Sequence, residues 1–166
     1  MSRPDFLYRG TPNKDTTQFT PKELVGLSSS ARLVVSATSD RNVATKFIVP
    51  MEGLNIKTGF IDGISYYLCA DETVFRQTDK GGAIHTFASY GFELISYQSV
   101  DIWVNPNPVN SISKEVVSSG LTAMIDAGIQ VYFVTPDTLE LFNNSPDRRL
   151  DILKELVSEN AKQNKK

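Results

Sequence analysis

Cysteine and histidine are almost missing from this chain. One of each, Cys69 and His85, among 166 residues excludes an internal disulfide and argues against a His/Cys metal site. No clustered Asp/Glu run stands in for one, so no metal is expected. No stretch approaches the roughly 18 apolar residues of a membrane span, and no membrane partner is expected. The opening Met1-Ser2-Arg3-Pro4-Asp5 has no apolar h-region, so no secretory signal is expected and the chain reads as cytoplasmic when made. Neither sign of charge dominates: 17 Lys and Arg face 19 Asp and Glu, a formal charge of −2. That balance carries no footprint of a non-specific nucleic-acid binder. Internal repeats and low-complexity blocks are also missing.

What is present is 40% apolar and 10% aromatic, the balance of a globular domain that buries a core without staples. One domain over residues 1–166 is expected. Apolar runs with β-branched and aromatic residues predict strands at Phe6–Tyr8, Arg32–Val35, Ile64–Ala70, Ala83–Phe87, Phe92–Tyr97, Ser99–Val104 and Gln130–Val134. Cys69 falls in one of these runs and reads as a buried, inert thiol. Residues 11–22 and 51–63 read as loops and turns, with a short hairpin as the alternative for the second. Ser28-Ser29-Ser30 reads as a flexible link, and Pro108–Ile112 as extended at best.

Helices are expected at four or five places. Pro21-Lys22-Glu23-Leu24-Val25 would begin one behind Thr20. Ser39-Asp40 would cap another over Asn42–Ile48, with Val43, Ala44 and Phe47 on its apolar face and Pro50 beyond its end. Ser113-Lys114-Glu115-Val116 would start a third, with a break or cap at Gly120, beyond which Leu121, Met124, Ile125 and Ala127 carry an apolar face that stops at Gly128. Pro136–Phe142 is a short helix. Residues 146–166 form a C-terminal helix with a frayed Lys/Asn/Gln tail. The fold class is therefore α+β, with helices flanking small, mostly antiparallel sheets.

Three segments carry side chains suited to one chemistry. Phe6-Leu7-Tyr8-Arg9-Gly10-Thr11 sets an arginine at the end of a short apolar strand. Val35-Ser36-Ala37-Thr38-Ser39-Asp40 sets hydroxyls at a strand end, and alternation puts Ser36 and Thr38 on one face and Ala37 on the other. Glu93 lies in Tyr90-Gly91-Phe92-Glu93-Leu94-Ile95-Ser96. A guanidinium grips a diphosphate through parallel hydrogen bonds. Hydroxyls orient ribose or carboxylate, and a fixed carboxylate stabilises an oxocarbenium-like sugar.

This ordered set resembles the mono-ADP-ribosyltransferase fold family, closest to its Arg-Ser-Glu branch, which includes the cholera- and pertussis-type toxins. The likeness covers roughly residues 6–104 and rests on several short motifs. It implies an ADP-ribosyltransferase-like fold that uses NAD as substrate, releases nicotinamide and transfers ADP-ribose to a macromolecular acceptor such as a protein. It also implies a bacterial effector, exported or injected by a specialised secretion system. By resemblance Arg9, with Gly10 and Thr11, binds the dinucleotide. Ser36 and Thr38 orient groups in the site, and Glu93 is the catalytic carboxylate. The nicotinamide needs an aromatic wall, for which Tyr67, Tyr90 and Phe47 are candidates, Phe47 fitting a core position better.

The chain departs from the branch in two places. Ala37 replaces the central threonine, and Gly91 stands where Glu or Gln is usual two residues before the catalytic glutamate. The short spacing from Arg9 to Ser36 is closer to the His-Tyr-Glu branch. Three other readings stay open: an NAD glycohydrolase that passes ADP-ribose to water, a binding module of the same fold without turnover, and an unrelated α+β domain. Arg9 would then be an exposed arginine at a strand end, Glu93 a solvent-facing residue on an edge strand, and Thr38-Ser39-Asp40 a turn and helix cap. His85 reads as structural, and Trp103 as core or groove wall.

Overall fold

A computed structural model of the protein describes residues 3–23, 33–97 and 100–163. In chain order the elements are β1 (Phe6–Thr11), β2 (Gln18–Phe19), β3 (Lys22–Glu23), β4 (Leu33–Ala37), α1 (Arg41–Ala44), β5 (Ile56–Ile61), β6 (Ile64–Cys69), α2 (Glu72–Thr78), β7 (Gly82–Ala88) and β8 (Glu93–Tyr97). There follow β9 (Val100–Asn105), β10 (Val109–Asn110), β11 (Ser113–Val117), α3 (Gly120–Asp126), β12 (Gln130–Phe133), α4 (Pro136–Asn144) and α5 (Arg149–Gln163). Short 3-10 turns, Thr45–Phe47 and Pro146–Arg148, follow α1 and precede α5. The architecture is α+β. Its sheets are small and antiparallel apart from the parallel pair of β6 and β12.

The chain divides into two compact units, Met1–Val49 with Lys80–Gly120, and Pro50–Asp79 with Leu121–Lys166. In the first, β7 lies between β1 and β11, and a second sheet runs in the order β3-β4-β9-β8. One antiparallel bridge joins the two sheets: Tyr8 and Thr38 exchange backbone hydrogen bonds of 2.8 and 2.9 Å. Past that bridge β1 and β4 part. Leu7, Phe19, Val35, Ala37, Phe87 and Phe92 form the core of this unit. The Phe19 ring stands edge-on to Phe87 at 5.3 Å, and Phe87 stacks on Phe92 at 5.9 Å. Burying each such aromatic is worth about 1.5–3 kcal/mol. Arg3 staples the N-terminal arm to this core. Its Nη1 donates to the carbonyls of Ser89 at 2.8 Å and Phe92 at 2.6 Å, and its guanidinium lies over Trp103.

The second unit is built on β5-β6-β12. Asp62 (φ 50°) and Gly63 (φ 80°) turn β5 into β6; both left-handed residues suit the twist of a two-residue hairpin. Tyr66, Leu68, Tyr132, Leu139, Phe142, Ile152 and Leu153 make its core. Asp71 and Thr135 cap α2 and α4, accepting from the backbone N–H of Val74 and Thr138. Among the described residues no helix is long and apolar enough to cross a membrane.

Two expected helix starts are strands. Lys22–Glu23 pairs with Val34 and Leu33 on β4, while Leu24 and Val25 lie outside the described residues. Ser113–Val117 pairs along β7 from Thr86 to Gly82, and Glu115 forms an ion pair with Arg41 of α1. In both places cross-strand pairing overrides a local helix-start signal. Segment 71–80, read as nothing in particular from sequence, contains α2. The Ser28–Ser30 link and residues 164–166 of the C-terminal tail lie outside the described residues.

Candidate functional site

Where β1 and β4 part, the first unit holds a hollow of about 310 Å³, within the size range of small-molecule sites. Tyr8, Arg9 and Gly10 line it from β1, and Ser36, Ala37 and Thr38 from the end of β4. Val43 and Phe47 close it from α1 and the 3-10 turn, and Asp101 and Ile102 from the start of β9.

Arg9 is half-buried at the centre. Its Nη1 donates to the Ser36 carbonyl at 2.9 Å and to Ser36 Oγ at 3.0 Å, and Cζ lies 5.3 Å from the Phe19 ring centroid. Its Nε is buried and has no hydrogen-bond partner among the described residues. Burial lowers the guanidinium's pKa from its ordinary value, yet an arginine remains a cation at any physiological pH. The result is an oriented positive charge facing a hollow with apolar walls.

Ser36 is thus the group that aims Arg9. Thr38 does two things. Its backbone makes the bridge to Tyr8, and its Oγ1 accepts from the Asp40 N–H at 3.1 Å. Asp40 Oδ1 in turn caps α1 at the Asn42 N–H, 2.9 Å away. Turn, cap and hollow wall therefore share the same residues. Ala37, between Ser36 and Thr38, borders the hollow and also packs into the core of this unit.

Gly10 permits a close approach, and the neighbour is the protein's own helix. A Cβ there would fall inside the van der Waals surface of the Ala44 carbonyl oxygen. Gly10 thereby lets α1 sit down on β1 and form a wall. Thr11 is half-buried and accepts from the Asn13 N–H at 3.3 Å; it is not among the residues around the hollow.

Glu93 is exposed on β8. The register pairs Glu93 with Val104, and Val104 with Ser36. All three side chains therefore share a sheet face, with Glu93 two strand spacings, about 10 Å, from Ser36. The fully buried Val104 lies between them, and Glu93 does not line the hollow. The acidic residue among those around the hollow is Asp101, which is exposed. Alternation sets the Asp101 and Ile102 side chains on opposite faces of β9, making the start of that strand a rim.

The three aromatic candidates separate. Phe47 is not core: it is 46% exposed and lines the hollow. Tyr67 is fully buried in the second unit, edge-on to Phe75 at 5.9 Å, and its hydroxyl has no hydrogen-bond partner among the described residues. Tyr90 is 91% exposed on the turn between β7 and β8. Beside it Gly91 has φ 84°, and a Cβ there would press on Asn105 Nδ2. That left-handed conformation favours glycine over any side chain at this position.

Sequence reasoning missed Tyr8, Val43, Asp101 and Ile102 as wall residues. Only Val43 gave a signal, through its place on the apolar face of α1. The others depend on which strand ends meet, a long-range fact. Among the described residues no group of three His, Cys, Asp or Glu is arranged to hold a metal ion. No family model, no curated protein and no solved structure matches the chain.

Proposed function

We propose that the hollow binds NAD and that the chain cleaves its nicotinamide–ribose bond, passing ADP-ribose to a macromolecular acceptor. The observation that carries this reading is the meeting of Arg9, Ser36 and Thr38, from two separate strands, around one hollow. Arg9 supplies a preset charge for the diphosphate, already held in orientation by Ser36. The exposed ring of Phe47, with Val43 and Ile102, offers a face for a planar ring. Thr38 adds a hydroxyl beside the sugar.

In the reaction the C1′–N bond breaks and nicotinamide leaves with the bonding electrons. The acceptor's nucleophile bonds to C1′ and gives up its proton. A carboxylate held near C1′ lowers the barrier by stabilising the developing cation. Glu93 fits this role by its sheet face and Asp101 by its place on the rim. An effector delivered into another cell is the setting that the family resemblance implies.

A second reading, a binding module of the same fold without turnover, is favoured by Glu93 standing outside the lining and by Ala37 in place of a hydroxyl. Nicotinamide release from NAD separates the two. The expected outcome is release by the parent, release lost in Glu93→Gln or Asp101→Asn with NAD still bound, and binding weakened at least about tenfold in Arg9→Lys. Saturable binding without release establishes the module. Neither binding nor release overturns the proposal.

A further inference from the structure

We propose that His85 is a positioning residue behind Arg9, and that a diphosphate held by Arg9 is taken up together with a proton on His85. This deepens the reading of the hollow as a diphosphate site and rests on it. The geometry comes from the register of the β1-β7-β11 sheet. Arg9 stands opposite His85, and His85 opposite Lys114, so the three side chains form one row on one face. Directly opposed residues have Cβ atoms about 4.5–5.5 Å apart.

His85 is fully buried, and neither Nδ1 nor Nε2 has a hydrogen-bond partner among the described residues. The same holds for Arg9 Nε. Phe19, from β2, covers both groups: its centroid lies 4.7 Å from the imidazole and 5.3 Å from Arg9 Cζ. The charged groups facing the imidazole are Arg9 from β1 and Lys114 from β11, whose Nζ donates to the Lys14 carbonyl at 2.5 Å. Phe19 contributes no charge. Burial first, then these two cations, hold the ring's pKa below its ordinary value.

A buried polar ring with both nitrogens unpartnered is costly to keep. In the free protein burial opposes a proton there, and that proton would also be a third cation in the row. A diphosphate on Arg9 supplies negative charge to the same end of that row. One of the two charges that oppose protonation is then compensated, and the imidazole accepts a proton more readily. Linkage is reciprocal, so protonated His85 strengthens diphosphate binding by the same factor.

His85 is the single histidine of the chain, so imidazole NMR reads it without ambiguity. ADP-ribose is the probe, because a diphosphate diester keeps a constant charge between about pH 5 and pH 8, where an unperturbed histidine titrates. The expected result is a His85 midpoint that rises on saturation with ADP-ribose, and binding about tenfold tighter at the acid end of that range. In His85→Phe the binding persists and its pH dependence disappears; if that variant fails to fold, the parent's NMR titration decides alone. ADP-ribose bound with an unmoved His85 midpoint overturns this inference and leaves the hollow's assignment standing. No binding of ADP-ribose, together with no nicotinamide release from NAD, overturns both.

Discussion

Lys46 gives the sharpest test of how the first unit balances burial against charge. It sits in the 3-10 turn after α1 and is only 4% exposed. Burial pulls its pKa from 10.5 down to about 8, with Asp40 opposing part of the effect. The folded value lies below the unfolded one. Between the two the unfolded chain holds more protons, so stability rises with pH across that window. Below about 8 both states are charged, and the folded state bears the full net cost, desolvation less the Asp40 attraction. That cost is on the order of 3 kcal/mol. Lys46→Met keeps the length of the apolar stem and removes the charge. The parent should gain about 2–3 kcal/mol relative to this variant between about pH 7 and pH 10. Urea unfolding followed by the fluorescence of Trp103, the single tryptophan and part of the same unit, measures both. A difference between parent and variant that does not change with pH across that window refutes the argument.

Two further substitutions probe the hollow and its surroundings. Gly10→Ala forces α1 away from β1; it should cost about 1–3 kcal/mol and weaken ligand binding by displacing Val43 and Phe47, and a variant with unchanged urea midpoint and unchanged NAD binding contradicts the packing. Tyr67→Phe removes a buried hydroxyl that has no hydrogen-bond partner among the described residues; stability should hold or rise by about 1 kcal/mol with NAD binding unaltered by calorimetry, whereas a tenfold weaker affinity would return Tyr67 to the site.

The legible parts of this fold are those whose signals are local. β1, β6, β7, β8 and β9 announce themselves as apolar runs bounded by turn residues. The Asp40 cap and the left-handed Gly128 (φ 84°) that follows α3 are written in single residues. The misread parts turn on partners far along the chain. Ser113-Lys114-Glu115 looks like a helix start until β7 offers it a ladder, and Lys22-Glu23 likewise until β4 does. Phe47 looks buried because a 3.6-residue period aligns it with Val43. That alignment holds, but the shared face borders the hollow, while Ala44, Thr45, Lys46 and Ile48 are the residues turned to the interior.

The same distinction explains the site. Arg9, Ser36 and Thr38 were readable because each lies at a strand end marked by its own neighbours. Their meeting depends on the Tyr8–Thr38 bridge, which joins two sheets at one point and leaves them free to part beside it. A longer ladder between β1 and β4 would satisfy the backbone and close the hollow. A missing bridge would separate Arg9 from Ser36. Asp101 and Ile102 become wall residues only because β9 begins beside that same point. The carboxylate shows the limit of alternation: it puts Glu93 on the same face as Ile95 and says nothing of how many strands separate it from Ser36. Side-chain direction is a property of two residues, whereas distance within a sheet is a property of strand order. On the proposed function, the chemistry of the hollow would turn on which acid, Glu93 or Asp101, reaches the sugar across a spacing that only the topology sets.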